Sequence, residues 1–125
     1  MNKQDRLKAA NDFIKVIAGC GRKFFRHEDF VSTLELSPVG RVFFIDYYTK
    51  KRIYTHTYYR HWDGFTSGGT MKTMIEDLRD FITNGEMMRA EYFQPDMGNG
   101  FKNPWGYGDD ILIVKAAAIK LGIAN

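Results

Sequence analysis

From Tyr58 to Thr83 the chain reads YYRHWDGFTSGGTMKTMIEDLRDFIT, and the second half of that stretch allows few structures. Met71, Met74, Ile75, Leu78 and Ile82 fall at i, i+3, i+4, i+7 and i+11, one continuous face of an α-helix. Lys72, Glu76, Asp77, Arg79 and Asp80 fill the opposite face, and Asn84-Gly85 supplies a left-handed stop. The spacing predicts a helix over 69–83 with Met74, Ile75, Leu78 and Ile82 buried.

Ser67-Gly68-Gly69-Thr70 opens that helix. Two glycines leave the backbone N–H groups uncovered, so a phosphate or carboxylate can approach them. Arg60, His61 and Trp62 lie just upstream. Together they define an expected anion site of Arg60, His61, Trp62, Ser67, Gly68, Gly69 and Thr70, in which Arg60 brings charge and Trp62 a flat apolar wall. The competing reading is an ordinary helix start, capped by Ser67 or Thr70, with Trp62 in the core. The turn lacks the lysine and the spacing of a P-loop, and no G-x-G-x-x-G follows a strand.

Upstream, residues 4–18 read as a helix with Leu7, Ala10, Ile14 and Ile17 on its buried stripe, ended by Gly19 and Gly21. Short β-like runs follow. KFFR at 23–26 is brief, with His27-Glu28-Asp29 as its turn. FVSTLELS at 30–37 alternates, placing Phe30, Leu34 and Leu36 on one side. RVFFIDYY at 41–48 is apolar on both faces, as a central strand is. Thr49-Lys50-Lys51 then turns into RIYTHT at 52–57. Two successive hairpins give an antiparallel meander. Few helices are available to cover it, so some Tyr and His must face water or a partner. Tyr54, His56 and Tyr58, with Lys50, Lys51 and Arg52, are the expected recognition surface.

Residues 86–108 show no periodicity and are rich in Gly, Pro and aromatics; Phe93, Phe101, Trp105 and Tyr107 are expected to pin the segment over the core edge. A last helix, capped by Asp109 or Asp110, runs through ILIVKAAAIKL to Gly122. Being apolar nearly all round, it is expected to be largely buried.

Composition narrows the function classes. The 125 residues are 44% hydrophobic and 26% charged, which fits one soluble globular domain spanning the chain. Residues 1–60 hold twelve Lys and Arg against six Asp and Glu, while 61–125 hold six against nine. A basic half with interleaved aromatics suits a polyanionic partner, although a solvated sheet face beside acidic helices has the same composition. Cys20 stands alone, so no intramolecular disulfide forms, and it reads as a small buried residue. With no signal peptide and no apolar run near ~18 residues, a cytoplasmic location and no membrane partner are expected.

Catalytic signals are absent. His56, His61 and Asp63 match no compact metal spacing, there is no G-x-S-x-G elbow, and nothing marks Glu35 and Asp46 as a buried pair. No metal, no cofactor and no catalytic residue is expected.

The W-D-G-F-T-S-G-G-T run before an amphipathic helix fits a W-x-G-F-x-x-G-G-T pattern. With the G-R-V-F-F-I-D-Y-Y-T-K-K-R-I-Y-T-H hairpin and Trp105-Gly106-Tyr107-Gly108-Asp109, it resembles small proteins encoded in bacteriophage genomes, over residues from about 10 to the C-terminus. The resemblance implies a phage protein made in the bacterial cytoplasm, of a kind that binds a host protein, a nucleic acid or a signalling nucleotide. The expectation is an α+β domain: an N-terminal helix, an antiparallel meander of three or four strands, and two further helices packed on one sheet face. Its leading function is non-enzymatic binding that blocks or sequesters a host protein or nucleotide, as in counter-defence. A nucleic-acid-binding module is the alternative, and an enzyme acting on a phosphorylated substrate the third.

Overall fold

The computed structural model describes residues 1–21, 23–57, 61–88, 93 and 110–125. Helix α1 (Lys3–Ala18) is followed by strands β1 (Arg26–His27), β2 (Phe30–Val31), β3 (Thr33–Leu36), β4 (Val42–Asp46) and β5 (Lys51–Tyr54), then by α2 (Gly69–Asn84) and α3 (Asp110–Lys120). Asn2 starts α1 through a reciprocal capping box, its side chain accepting from the Asp5 N–H at 2.8 Å.

The meander is a three-stranded antiparallel sheet, order β3-β4-β5, with β4 in the centre. Alternation sorts its side chains. Leu34, Val42, Phe44 and Ile53 point inward to α1 and α2, and Glu35, Phe43, Ile45, Arg52 and Tyr54 fall on the outward face. The free edge of β3 is closed by Asn11 of α1. Its amide accepts from the Leu34 N–H at 2.7 Å and donates to the Leu34 carbonyl at 2.9 Å, copying a neighbouring strand.

Helix α2 buries Met74, Ile75, Leu78, Phe81 and Ile82 and stops at Gly85 in the left-handed conformation, as its spacing predicts. Arg6 ties α1 to it by donating to the Ile82 carbonyl at 2.9 Å. α3 extends the helical layer by packing on α1. The Asp110 carboxylate accepts from the Gly21 N–H at 2.7 Å, so it joins the end of α1 to the start of α3. Asp109 lies outside the described residues.

Four expectations need correction. Residues 23–26 do not form a strand, because Lys23 and Phe25 adopt positive φ of 55° and 69°; pairing begins at Arg26. The 30–37 run breaks at Ser32, whose backbone and hydroxyl bond Phe25 and Tyr47, so β2 joins a separate hairpin with β1 and Phe30 is exposed. The last strand ends at Tyr54. Beyond it, Thr55 Oγ1 donates to the Val42 carbonyl and His56 Nε2 accepts from the Val42 N–H, so side chains finish the ladder. Finally, α3 buries only Ile111, Val114 and Ala118; a helix resting on one neighbour covers one stripe, and Leu112, Ile113 and Ile119 stay exposed.

Phe93 is buried edge-on against Phe13, as expected for that ring. Phe101, Trp105 and Tyr107 lie outside the described residues. Met88 pairs with the C-terminus, its N–H donating to the Ile123 carbonyl at 2.8 Å and its carbonyl accepting from Asn125 at 3.2 Å.

Asp77, half-buried on α2, has its pKa pushed up to about 6 by burial first and then by Asp80 and Glu76. A raised folded-state pKa means that the stability it contributes is fully present below its ordinary value and is lost as pH rises through about 6. Asp77→Asn should therefore raise stability above pH 6 and have little effect in strong acid. With solvent screening the gain is on the order of 1 kcal/mol, measurable by urea unfolding across the pH range.

Candidate functional site

The turn before α2 is open but sparsely furnished. Gly68 is the N-cap and, among the described residues, no side chain makes a capping hydrogen bond there, so neither Ser67 nor Thr70 caps the helix. A Cβ at Gly68 or Gly69 would meet nothing within 4 Å. His61 is exposed, and Arg60 lies outside the described residues. Trp62 corrects the expectation of a flat ligand wall: it is 2% exposed, with Phe65 at 5.3 Å and Lys72 Nζ 4.8 Å from its ring centroid. Lys72 in turn pairs with Glu76 at 3.2 Å. The ring is core, and its buried Nε1 has no hydrogen-bond partner among the described residues.

The outward sheet face is organised by stacking of cations on rings. The Arg52 guanidinium sits 3.5 Å from the Phe43 centroid and pairs with Glu35 at 3.1 Å. Tyr54 meets Phe43 edge-on at 5.4 Å and His56 at 5.5 Å. Further along, Phe30 stacks on Tyr47 at 5.2 Å, and Lys50 Nζ lies over both rings at 5.4 and 4.8 Å. Lys50, Arg52 and Tyr54 thus belong to one decorated face. Lys51 does not, because alternation turns it away and its stem lies beside Gly64. Tyr58 lies outside the described residues. Glu35 and Asp46 occupy opposite sheet faces; Asp46 is buried and accepts from the Tyr48 N–H and the Thr49 hydroxyl.

His56 bridges this face to a cleft that sequence reading missed. Lys3, Val39, Gly40, Arg41, His56, Arg79, Asp80, Thr83 and Asn84 line a cavity of about 390 Å³. Because Val42 donates to His56 Nε2 at 2.8 Å, the imidazole keeps its proton on Nδ1. Burial, then Arg79 and Arg41, push the His56 pKa down, while Asp80 opposes them weakly. The ring is thus a neutral donor at neutral pH. Arg79 donates to the Thr55 carbonyl and, through Nε, to Asp80 at 3.0 Å. No sequence signal marks it: Lys3, Arg41 and Arg79 are far apart in the chain and meet only when α1, the β3–β4 turn and α2 converge.

Fold and surface define a small α+β protein whose meander turns one face to its helices and presents cations and aromatic rings on the other. Over residues 1–124 the chain matches the family model described as YoqU, and it belongs to the YoqU family. No curated protein and no solved structure matches it. Among the described residues no helix is long and apolar enough to cross a membrane.

Proposed function

We propose that this YoqU-family chain is a non-enzymatic binding protein, a phage accessory or counter-defence protein that blocks a host protein by docking it on the outward sheet face. The observation that carries this reading is the pair of ring–cation clusters there, Arg52 with Phe43 and Tyr54, and Lys50 with Tyr47 and Phe30. Exposed aromatics and arginine are enriched at protein interfaces and dominate their energetics. The family match accords with the phage setting that the sequence pattern implies.

A nucleic-acid surface is the second reading, favoured by the parallel Phe30–Tyr47 stack beneath Lys50. Against it, Glu35 already neutralises Arg52, whereas backbone binding needs several cations free for phosphates.

One set of variants separates the readings. Tagged protein should retain a host protein from its cell that Tyr54→Ala and Arg52→Ala release, with melting temperatures close to the parent. A retained protein indifferent to both substitutions counts against the sheet face. Salt-sensitive binding of mixed-sequence oligonucleotides, lost in the Phe30→Ala variant, would instead establish the second reading.

A further inference from the structure

We propose that the cleft between the β3–β4 turn and the C-terminal half of α2 is a binding site for a phosphoryl group, held by Lys3, Arg41, Arg79 and His56. Three cationic side chains from three separate elements converge on one hollow, and a neutral imidazole with its proton on Nδ1 stands among them. Such a set offers donors only, in the number that a phosphate's oxygens require.

The charges are largely uncompensated. Among the described residues Asp80 is the one carboxylate in the lining, and it already accepts from Arg79 Nε at 3.0 Å. Among the described residues, Lys3 and Arg41 have no carboxylate partner. Lys3 Nζ instead lies over Gly40, only 3.2 Å from where a Cβ would stand. Gly40 has φ of 82°, so the turn needs glycine there for its backbone as well as for this approach.

Arg79 and His56 are held rigidly. Arg79 is anchored on the Thr55 carbonyl and His56 on the Val42 N–H, so both present fixed donors. Lys3 and Arg41 are the exposed arms. Preorganised donors at the floor and exposed cations at the rim suit the capture of an anion.

A shallower hollow shares Lys3, Val39 and Gly40 with the cleft and adds Gln4, Leu36, Ser37 and Pro38. Leu36, Pro38 and Val39 offer apolar contact, and Gln4 and Ser37 polar contact, to the organic part of a phosphomonoester whose phosphoryl head lies among the cations. Free phosphate and a nucleoside monophosphate present the same head group, and titration with each distinguishes them.

The test follows backbone amide resonances of the full chain during titration with inorganic phosphate, with AMP, and with adenosine, all at constant ionic strength. Saturable shifts centred on Gly40, Arg41, Val42 and His56, with phosphate or AMP and not with adenosine, are expected. Tighter binding of AMP places an organic body in the second hollow; equal binding makes the site one for phosphate itself. Arg41→Gln and Lys3→Gln, at exposed positions with no carboxylate partner among the described residues, should each weaken binding roughly tenfold while the spectrum of the fold is retained. Shifts that fail to saturate, that appear equally with chloride, or that survive both substitutions overturn the proposal.

Discussion

Trp62→Ala is expected to lower the unfolding free energy by ~3–5 kcal/mol, the range for emptying a buried large aromatic position. The indole is 2% exposed, packs on Phe65 at 5.3 Å, and through Phe65 reaches Phe44 of the central strand at 6.0 Å. Removing it leaves a void between the loop before α2 and the inward sheet face. Trp62→Phe separates packing from polarity. It keeps a ring beside Phe65 and deletes an Nε1 donor that has no partner among the described residues, so the desolvation of that group no longer opposes folding. The phenylalanine variant should recover most of what alanine loses. Chemical unfolding of the three proteins decides it, and an alanine variant with the parent's midpoint would put Trp62 outside the core.

That one residue shows what a single sequence conceals. Arg, His and Trp ahead of two glycines look alike whether the ring is offered to a ligand or folded inward. Only the position of Phe65, three residues on, and of Phe44 across the fold decides between them. The periodicity of α2 was legible because burial on a helix repeats with its turn, and the meander was legible because alternation and turn residues repeat with the strand. Phe81, three residues after Leu78 and seven after Met74, lies on the same stripe and is buried with it, although the expected buried set stopped at Met74, Ile75, Leu78 and Ile82.

The short β1–β2 hairpin was harder to see. A bulky residue at positive φ, as at Phe25, is held by its surroundings, here Phe44 at 6.1 Å, and not by local preference. The outward face was half legible. Alternation placed Arg52 and Tyr54 together, but the pairing of Arg52 with Glu35 depends on strand register across two hairpins. The cleft was not legible at all. Lys3, Arg41, His56 and Arg79 have no shared motif, and their convergence is a consequence of tertiary packing alone.

Leu78→Ala is expected to cost ~2–5 kcal/mol, because alanine is at least as good a helix former and the whole loss therefore comes from packing. Leu78 is fully buried at the middle of α2, the helix that touches both α1 and β4. The void can collapse only if α2 shifts, and α2 is tied at two points. Arg6 of α1 holds the Ile82 carbonyl, and Arg79 holds Thr55 beyond the end of β5. Those ties resist relaxation, which argues for the upper half of the range. Thr73→Ala, on the exposed face one turn earlier, should change stability by less than about 0.5 kcal/mol. Urea midpoints of both variants, with unchanged slopes, give the comparison. A Leu78→Ala loss as small as that at Thr73 would mean that α2 presents a different face to the sheet, and Arg79 would then no longer reach Thr55 to form the floor of the cleft.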